Sequence, residues 1–176
     1  MQEIKYNGKY FDVIEKEHSI GIHKKAVKVG VLPYTIDDGV LTSVGVLTEY
    51  NEFRKELYTD TIITGTVDAD DKDLIDAAIR EFYEEGGIKL EDREGYIFLG
   101  SLRTAKNSDE MIHVFAVDVS DIKQAEKPEG DGSVKEKKST FEMKNIGEAI
   151  LTDESLFLAS YLRLFDYFYH SNMKNK

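Results

Sequence analysis

The chain has 176 residues, of which 41% are hydrophobic and 32% charged, and this fits a globular protein of one domain or of one domain with a small appendage. It has no cysteine, which excludes disulfides, thiolate metal sites and cysteine nucleophiles and favours a reducing compartment, so we expect a cytoplasmic protein. The net charge of −11 argues against nucleic-acid binding, and no apolar run approaches the ~18 residues that span a bilayer, so neither nucleic acid nor membrane is an expected partner.

The first half of the chain alternates apolar and polar residues in the way that β-strands do. Strands are predicted at Lys9–Ile14, Ala26–Tyr34, Val40–Leu47 and Leu57–Ile63, with a turn at Asp37–Gly39. The period then becomes helical over Asp73–Glu85, and Gly86 and Gly87 can end that helix.

The second half adds strands at Tyr96–Leu102, Met111–Val119 and Thr140–Met143, a helical turn at Glu148–Leu151 and a C-terminal helix at Ser155–Tyr169. The polar segment Lys123–Lys138 is predicted to be a mobile loop. Together these elements predict an α+β fold with a mixed, mostly antiparallel sheet and a few helices. An α/β/α sandwich would contain the same elements.

The helix predicted over Asp73–Glu85 concentrates negative charge on one face. At about 100° per residue, Glu81, Glu84 and Glu85 share an arc of about 100°, beside an apolar arc that can be buried. Like charges this close repel, and Arg80 offsets only part of the repulsion because it is one cation among three carboxylates. The repulsion that Arg80 does not offset favours binding of a cation that prefers hard oxygen ligands, Mg²⁺ or Mn²⁺. The alternative is that these side chains merely form a solvated helix face. A histidine-built zinc site is not expected, because no two of the four histidines have ligand spacing on one helix.

The segment Arg80–Ile88 reads REFYEEGGI and resembles the second half of the Nudix box, R-E-U-x-E-E-x-G-U, at every specified position. Gly65 resembles the glycine that opens the box. The glutamate that the box has between them is replaced by Asp71 or Lys72, with one residue inserted, and we expect Asp71 to be an auxiliary metal ligand. The resemblance implies the Nudix α/β/α sandwich and a hydrolase of nucleoside diphosphates linked to another moiety, with Mg²⁺ or Mn²⁺ as cofactor.

Several segments outside the box are similar to the ADP-ribose pyrophosphatase branch of that family. Tyr6–Val13 is similar to a small N-terminal β appendage, which predicts an appendage over residues 1–24, a Nudix domain over 25–176 and a homodimer formed through the appendage. The other similar segments are Val31–Pro33, Glu49–Arg54, Ser108–Phe115 and Thr152–Ala159. The branch's S-P-G loop reads Thr104–Lys106 here, and the missing proline weakens the match to an ADP-ribose enzyme.

The resemblance also implies roles for individual residues. Arg80 and Glu84 are expected to be catalytic, and Glu136 to be the general base, with Asp131 as the alternative. The expected metal ligands are Glu81, Glu84, Glu85, Asp71 and the carbonyl of Thr64. The expected substrate-binding residues are Arg54, Glu52, Lys106 and Gly65.

Three functions remain open from the sequence. The first is hydrolysis of ADP-ribose to AMP and ribose 5-phosphate, or of a similar nucleotide sugar. The second is the same chemistry on NADH, FAD, a dinucleoside polyphosphate, a GDP-sugar or a capped RNA end. The third is a nucleotide-binding sensor domain that has lost catalysis, which Lys72 in place of an acid would favour and the intact Glu81, Glu84 and Glu85 oppose.

Overall fold

A computed structural model describes residues 2–16, 19–51, 57–122 and 139–174 of the chain. The strands are β1 Gln2–Asn7, β2 Phe11–Lys16, β3 Ser19–Lys24, β4 Lys28–Asp37, β5 Val40–Asn51, β6 Leu57–Thr61, β7 Ile63–Thr66, β8 Tyr96–Arg103, β9 Met111–Asp118 and β10 Thr140–Asn145. The helices are α1 Leu74–Gly86, α2 Ile146–Ala149 and α3 Ser155–Lys174, with a 3-10 turn at Arg93–Gly95. The described helices include none that is long and apolar enough to cross a bilayer.

Seven strands form one mixed sheet in the order β10-β5-β4-β9-β8, with β6 added to β5 and β7 added to β4. Strands β4 and β9 run parallel, and the other pairs are antiparallel. The β4–β5 turn places Asp38 and Gly39 at φ values of 49° and 76°, and two positive φ values in succession are what a two-residue type I′ turn requires. The predicted turn at Asp37–Gly39 is thus confirmed.

Helices cover both faces of this sheet, which confirms the α/β/α sandwich. Phe82 of α1 packs with Val29, Val31 and Phe115 on one face. Phe157 and Leu164 of α3 pack with strand residues on the other face, including Leu32, Val114 and Ile112. Burial of apolar side chains on both faces is the main stabilising term of such a sandwich.

The N-terminal residues form a separate three-stranded antiparallel sheet in the order β1-β2-β3. It contacts the rest of the chain at the β8–β9 turn, where Ile22 exchanges backbone hydrogen bonds with Asn107 and Asp109 at 2.8 and 3.1 Å. Asp109 also accepts a hydrogen bond from the Lys24 backbone N–H at 2.8 Å and bonds His23. The predicted β appendage is therefore present, although β1 and β3 were not predicted as individual strands.

One strand was predicted as continuous and is divided in the structure. The segment Leu57–Ile63 is two strands, because β6 pairs with β5 whereas β7 pairs with β4. Ile62, which lies between them, is fully buried in the cluster on the α3 face. The apolar pattern alone could not show this change of partner, since both halves alternate in the same way.

Candidate active site

The helix that carries the acidic residues has well-defined ends. The Asp73 side chain caps α1 by accepting hydrogen bonds from the Ile75 and Asp76 backbone N–H groups, each at 3.0 Å. At the other end Gly87 adopts a left-handed conformation, with φ at 68°, and donates to the Tyr83 carbonyl. These caps fix the helix, and with it the directions in which its acidic side chains leave the backbone.

Arg80 is the centre of the polar contacts at this site. Its guanidinium donates to both carboxylate oxygens of Asp71, at 3.2 and 2.9 Å, and to the Thr66 carbonyl at 2.8 Å. It also donates to Glu81 at 2.9 Å and to Glu84 at 3.1 Å. One cation thus holds carboxylates of the loop before α1 and of α1 itself against the end of β7.

Glu81 is the buried member of the acidic set. Its residue is 8% exposed, and burial raises the pKa of its carboxyl group although Arg80 acts in the opposite direction. The carboxyl group lies directly against Gly65, where an added Cβ would come within 1.7 Å of the Glu81 Cδ. Glycine at position 65 is therefore what leaves room for this carboxylate.

The structure brings together most of the predicted site residues that it describes. Asp71, Arg80, Glu81 and Glu84 are joined by hydrogen bonds. Glu84 is 38% exposed, so it faces the solvent side of the cluster. Of the other predicted metal ligands, Glu85 lies in α1 and Thr64 lies beside Gly65 in β7, and both residues are half-buried.

The donor set of this cluster fits a hard divalent cation. Its side chains supply carboxylate oxygens and no sulfur or imidazole, which suits Mg²⁺ or Mn²⁺. The burial of Glu81 carries a desolvation cost that a bound cation would offset. Among the described residues no three acidic or histidine side chains are placed as a metal centre, and Arg80 forms hydrogen bonds with Glu81 and Glu84.

Other predicted residues lie apart from the cluster or outside the part of the chain that the structure describes. Lys106 is exposed in the β8–β9 turn, at the same end of the sheet as Thr66, since Lys28 pairs with Thr66 on one side and with Ile112 on the other. The residues Glu52, Arg54, Asp131 and Glu136, and with them the loop predicted at Lys123–Lys138, lie outside the described residues.

The sequence did not indicate which residues hold Arg80. The Thr66 carbonyl is a backbone group, and no side-chain pattern identifies it. Asp71 was expected to be a metal ligand, and its described contacts are the guanidinium of Arg80 and the Asp68 backbone N–H at 2.8 Å. Nine positions separate Asp71 from Arg80, and because one lies in a loop and the other in a helix, no helical spacing joins them.

We expect Asp71→Asn to destabilise the protein at neutral pH. The hydrogen bonds from Arg80 hold the pKa of Asp71 below its usual value, so the stabilisation is present above the unfolded pKa of about 4 and disappears as the pH falls through the lower folded value. The loss at pH 7 should be about 1.5 kcal/mol, as for a hydrogen-bonded charged group, and should shrink below about pH 4.

Urea unfolding from pH 3 to pH 7, in EDTA so that no metal contributes, measures this difference. Asp70→Asn is the matched control, because it removes the same charge from an exposed neighbouring position. A loss of stability that does not vary with pH, or that equals the control's, would contradict the role given to Asp71.

Comparison with known proteins identifies the family and the fold. The NUDIX domain family model matches residues 24–149. The chain also resembles the crystal structure of an ADP compounds hydrolase, with a TM-score of 0.65, 16% sequence identity and coverage of 97% of this chain and 93% of the other. At that identity the likeness is one of fold. No curated protein matches the chain.

Proposed function

Because the chain belongs to the NUDIX domain family, we propose that it is a divalent-cation-dependent hydrolase of nucleoside diphosphates linked to another moiety, with ADP-ribose as the foremost substrate. The observation that carries the proposal is the contact of the Glu81 carboxylate with Gly65 and Arg80. A buried carboxylate that fits only because residue 65 is glycine is better explained by cation binding than by a solvated helix face. The name of the structural neighbour, an ADP compounds hydrolase, supports an ADP-containing substrate.

In this proposal Glu81, Glu84 and Glu85, with Asp71 and the Thr64 carbonyl, hold Mg²⁺ or Mn²⁺. When bound, such a cation screens the charge of the diphosphate, polarises phosphorus and lowers the pKa of water. Arg80 orients the carboxylates of Glu81 and Glu84 through the hydrogen bonds described above.

The remaining roles are those that the resemblance to the ADP-ribose pyrophosphatase branch implies. Glu136 accepts the proton of the attacking water on a carboxylate oxygen, with Asp131 as the alternative base. Arg54, Glu52, Lys106 and Gly65 contact the substrate. Water adds across one P–O bond of the diphosphate, so that ADP-ribose yields AMP and ribose 5-phosphate.

The β8–β9 turn favours a second candidate substrate. Its first three residues are Thr104–Lys106, which are exposed apart from the half-buried Thr104. They lack the proline that the ADP-ribose branch has at this place. A dinucleotide such as NADH or FAD, a dinucleoside polyphosphate or a GDP-sugar would use the same diphosphate chemistry. NADH and FAD differ from ADP-ribose in the group beyond the diphosphate, a GDP-sugar differs in the base as well, and a dinucleoside polyphosphate also differs in the number of phosphates.

We also propose that the protein is a cytoplasmic homodimer. Tyr6 and Ile20 of the N-terminal sheet are 54% and 60% exposed, and their pairing with Val13 and Glu15 places both on one face, which a second copy would cover. The absence of cysteine agrees with a reducing compartment.

A substrate panel tests the proposed activity. The purified 176-residue chain, with Mg²⁺, is incubated with ADP-ribose, NADH, FAD, a dinucleoside polyphosphate and a GDP-sugar, and the products are separated by chromatography. We expect AMP and ribose 5-phosphate from ADP-ribose as the fastest reaction, and no product in EDTA. Turnover that persists in EDTA, or no turnover of any compound, would reject the proposal.

A further inference from the structure

Part of the sheet face beside α1 is left uncovered by that helix. Helix α1 makes most of its sheet contacts with β7, β4 and β10, and Phe82 of α1 also packs with Phe115 of β9. Phe98 of β8 and His113 of β9 lie on the same face and are exposed and half-buried, respectively. The side chains that leave β8 and β9 on this face include Phe98, Ser101 and His113, and Ser101 and His113 are hydrogen-bonded at 2.8 Å. The face therefore extends past the helix as a surface of mixed aromatic and polar character.

Phe98 is the largest exposed apolar side chain on this extension. It is 54% exposed, yet its ring lies 6.4 Å from the ring of His113 with 29° between their planes, and 5.3 Å from the ring of Phe115. Its inner side is thus held by two rings while its outer side faces solvent. We call Phe98 and His113 the aromatic platform.

The sheet register connects this platform to the acidic cluster. Val29 is paired with Gly65 on one side and with His113 on the other, and His113 is paired with Ser101. Directly paired residues point to the same face, so Gly65 and His113 stand in one row, two strand spacings or roughly 10 Å apart. His113 therefore lies in the row of Gly65, whereas Phe98, which pairs with Phe115, lies in the neighbouring row of the same face.

We propose that the aromatic platform binds the nucleobase of the substrate, by stacking of the base on the outer face of Phe98. This inference rests on the proposed function, and it assigns the base to β8 and β9 while the diphosphate lies at the acidic cluster. A flat heteroaromatic ring matches an exposed ring face, and each stacked base contributes measurably to nucleotide affinity.

The charge around the platform favours a nucleotide over an apolar partner. Arg103 follows Ser101 on the same face of β8 and is exposed, and it forms no ion pair with any residue in the described ranges. In a chain of net charge −11, an exposed arginine on the face that carries the aromatic platform suits a ligand that has an anionic group as well as a planar base. A second copy of this acidic chain is a less complementary occupant.

A single introduced tryptophan tests the platform directly, since the chain contains none. We expect AMP, with Mg²⁺ present, to quench the fluorescence of Phe98→Trp in a saturable way, and ribose 5-phosphate to leave it unchanged. Phe165→Trp is the matched control, because Phe165 is 51% exposed and belongs to α3 on the opposite face. Absence of quenching in Phe98→Trp, or equal quenching in both variants, overturns the inference.

Kinetics separate failure of the platform from failure of the proposed activity. Phe98→Ala should raise KM for the hydrolysed nucleotide about tenfold and leave kcat within about twofold, while Phe165→Ala changes neither. Hydrolysis with an unchanged KM in Phe98→Ala rejects the platform and leaves the activity standing. Saturable quenching by AMP without hydrolysis of any substrate supports the platform and rejects the activity. Sedimentation measures the mass of the Phe98→Ala protein. A mass half that of the unsubstituted protein would show that Phe98 lies in a dimer interface, and this result would reject the platform.

Discussion

Glu81→Gln is expected to lose at least about a hundredfold in kcat and to unfold, in EDTA, at a temperature no lower than that of the unsubstituted protein. Burial raises the pKa of Glu81, so at neutral pH the folded state holds a charge that would be better solvated in the unfolded chain. Glutamine keeps the shape and removes that penalty. A residue kept for packing alone would show the reverse, with lower stability and normal turnover.

Thermal unfolding and steady-state kinetics on the same samples measure the two effects. Glu148→Gln is the control, since it removes the same charge from an exposed position of α2. Normal turnover in Glu81→Gln, or a loss of turnover that is fully explained by loss of folding, would contradict the role given to Glu81.

Gly65→Ala has the second large expected effect. The backbone at this position needs no positive φ, so the constraint is the space that the Glu81 carboxyl group occupies. The added Cβ would approach both Glu81 carboxylate oxygens to 1.9 and 2.1 Å, so the carboxylate must leave its site or β7 must shift. Overpacking of this kind costs about 1–3 kcal/mol of stability, and displacement of the carboxylate should lower kcat by about a hundredfold.

Gly21→Ala gives the matched control, because its added Cβ would meet only the Asn107 carbonyl oxygen at 3.4 Å, at the tight end of ordinary contacts. Denaturant unfolding and kinetics of both variants are compared with the unsubstituted chain. Normal turnover in Gly65→Ala would show that the position of the Glu81 carboxylate does not matter for activity.

Local patterns were sufficient to predict the element that carries the site. The helix predicted at Asp73–Glu85 is observed at Leu74–Gly86, with Asp73 as its cap and Gly87 as its end. Caps and helical periodicity are short-range properties, so a single sequence contains them. The β4–β5 turn at Asp38 and Gly39 was predictable for the same reason.

Long-range contacts were not predictable in the same way. The change of partner between β6 and β7 depends on which strand lies alongside, and alternation does not specify a neighbour. The contact between Glu81 and Gly65 joins a helix to a strand, and the family motif suggested both residues without showing that one makes room for the other. The cross-strand row from Gly65 to His113 follows from sheet register, which only the three-dimensional structure supplies.

Direct titration with Mn²⁺, followed by the electron paramagnetic resonance signal of the free ion, tests most directly whether the acidic side chains of α1 hold a divalent cation. We expect the unsubstituted chain and Glu148→Gln to bind Mn²⁺ alike, and Glu81→Gln and Glu84→Gln to bind it at least about tenfold more weakly. Equal Mn²⁺ affinity in all four proteins would contradict the account.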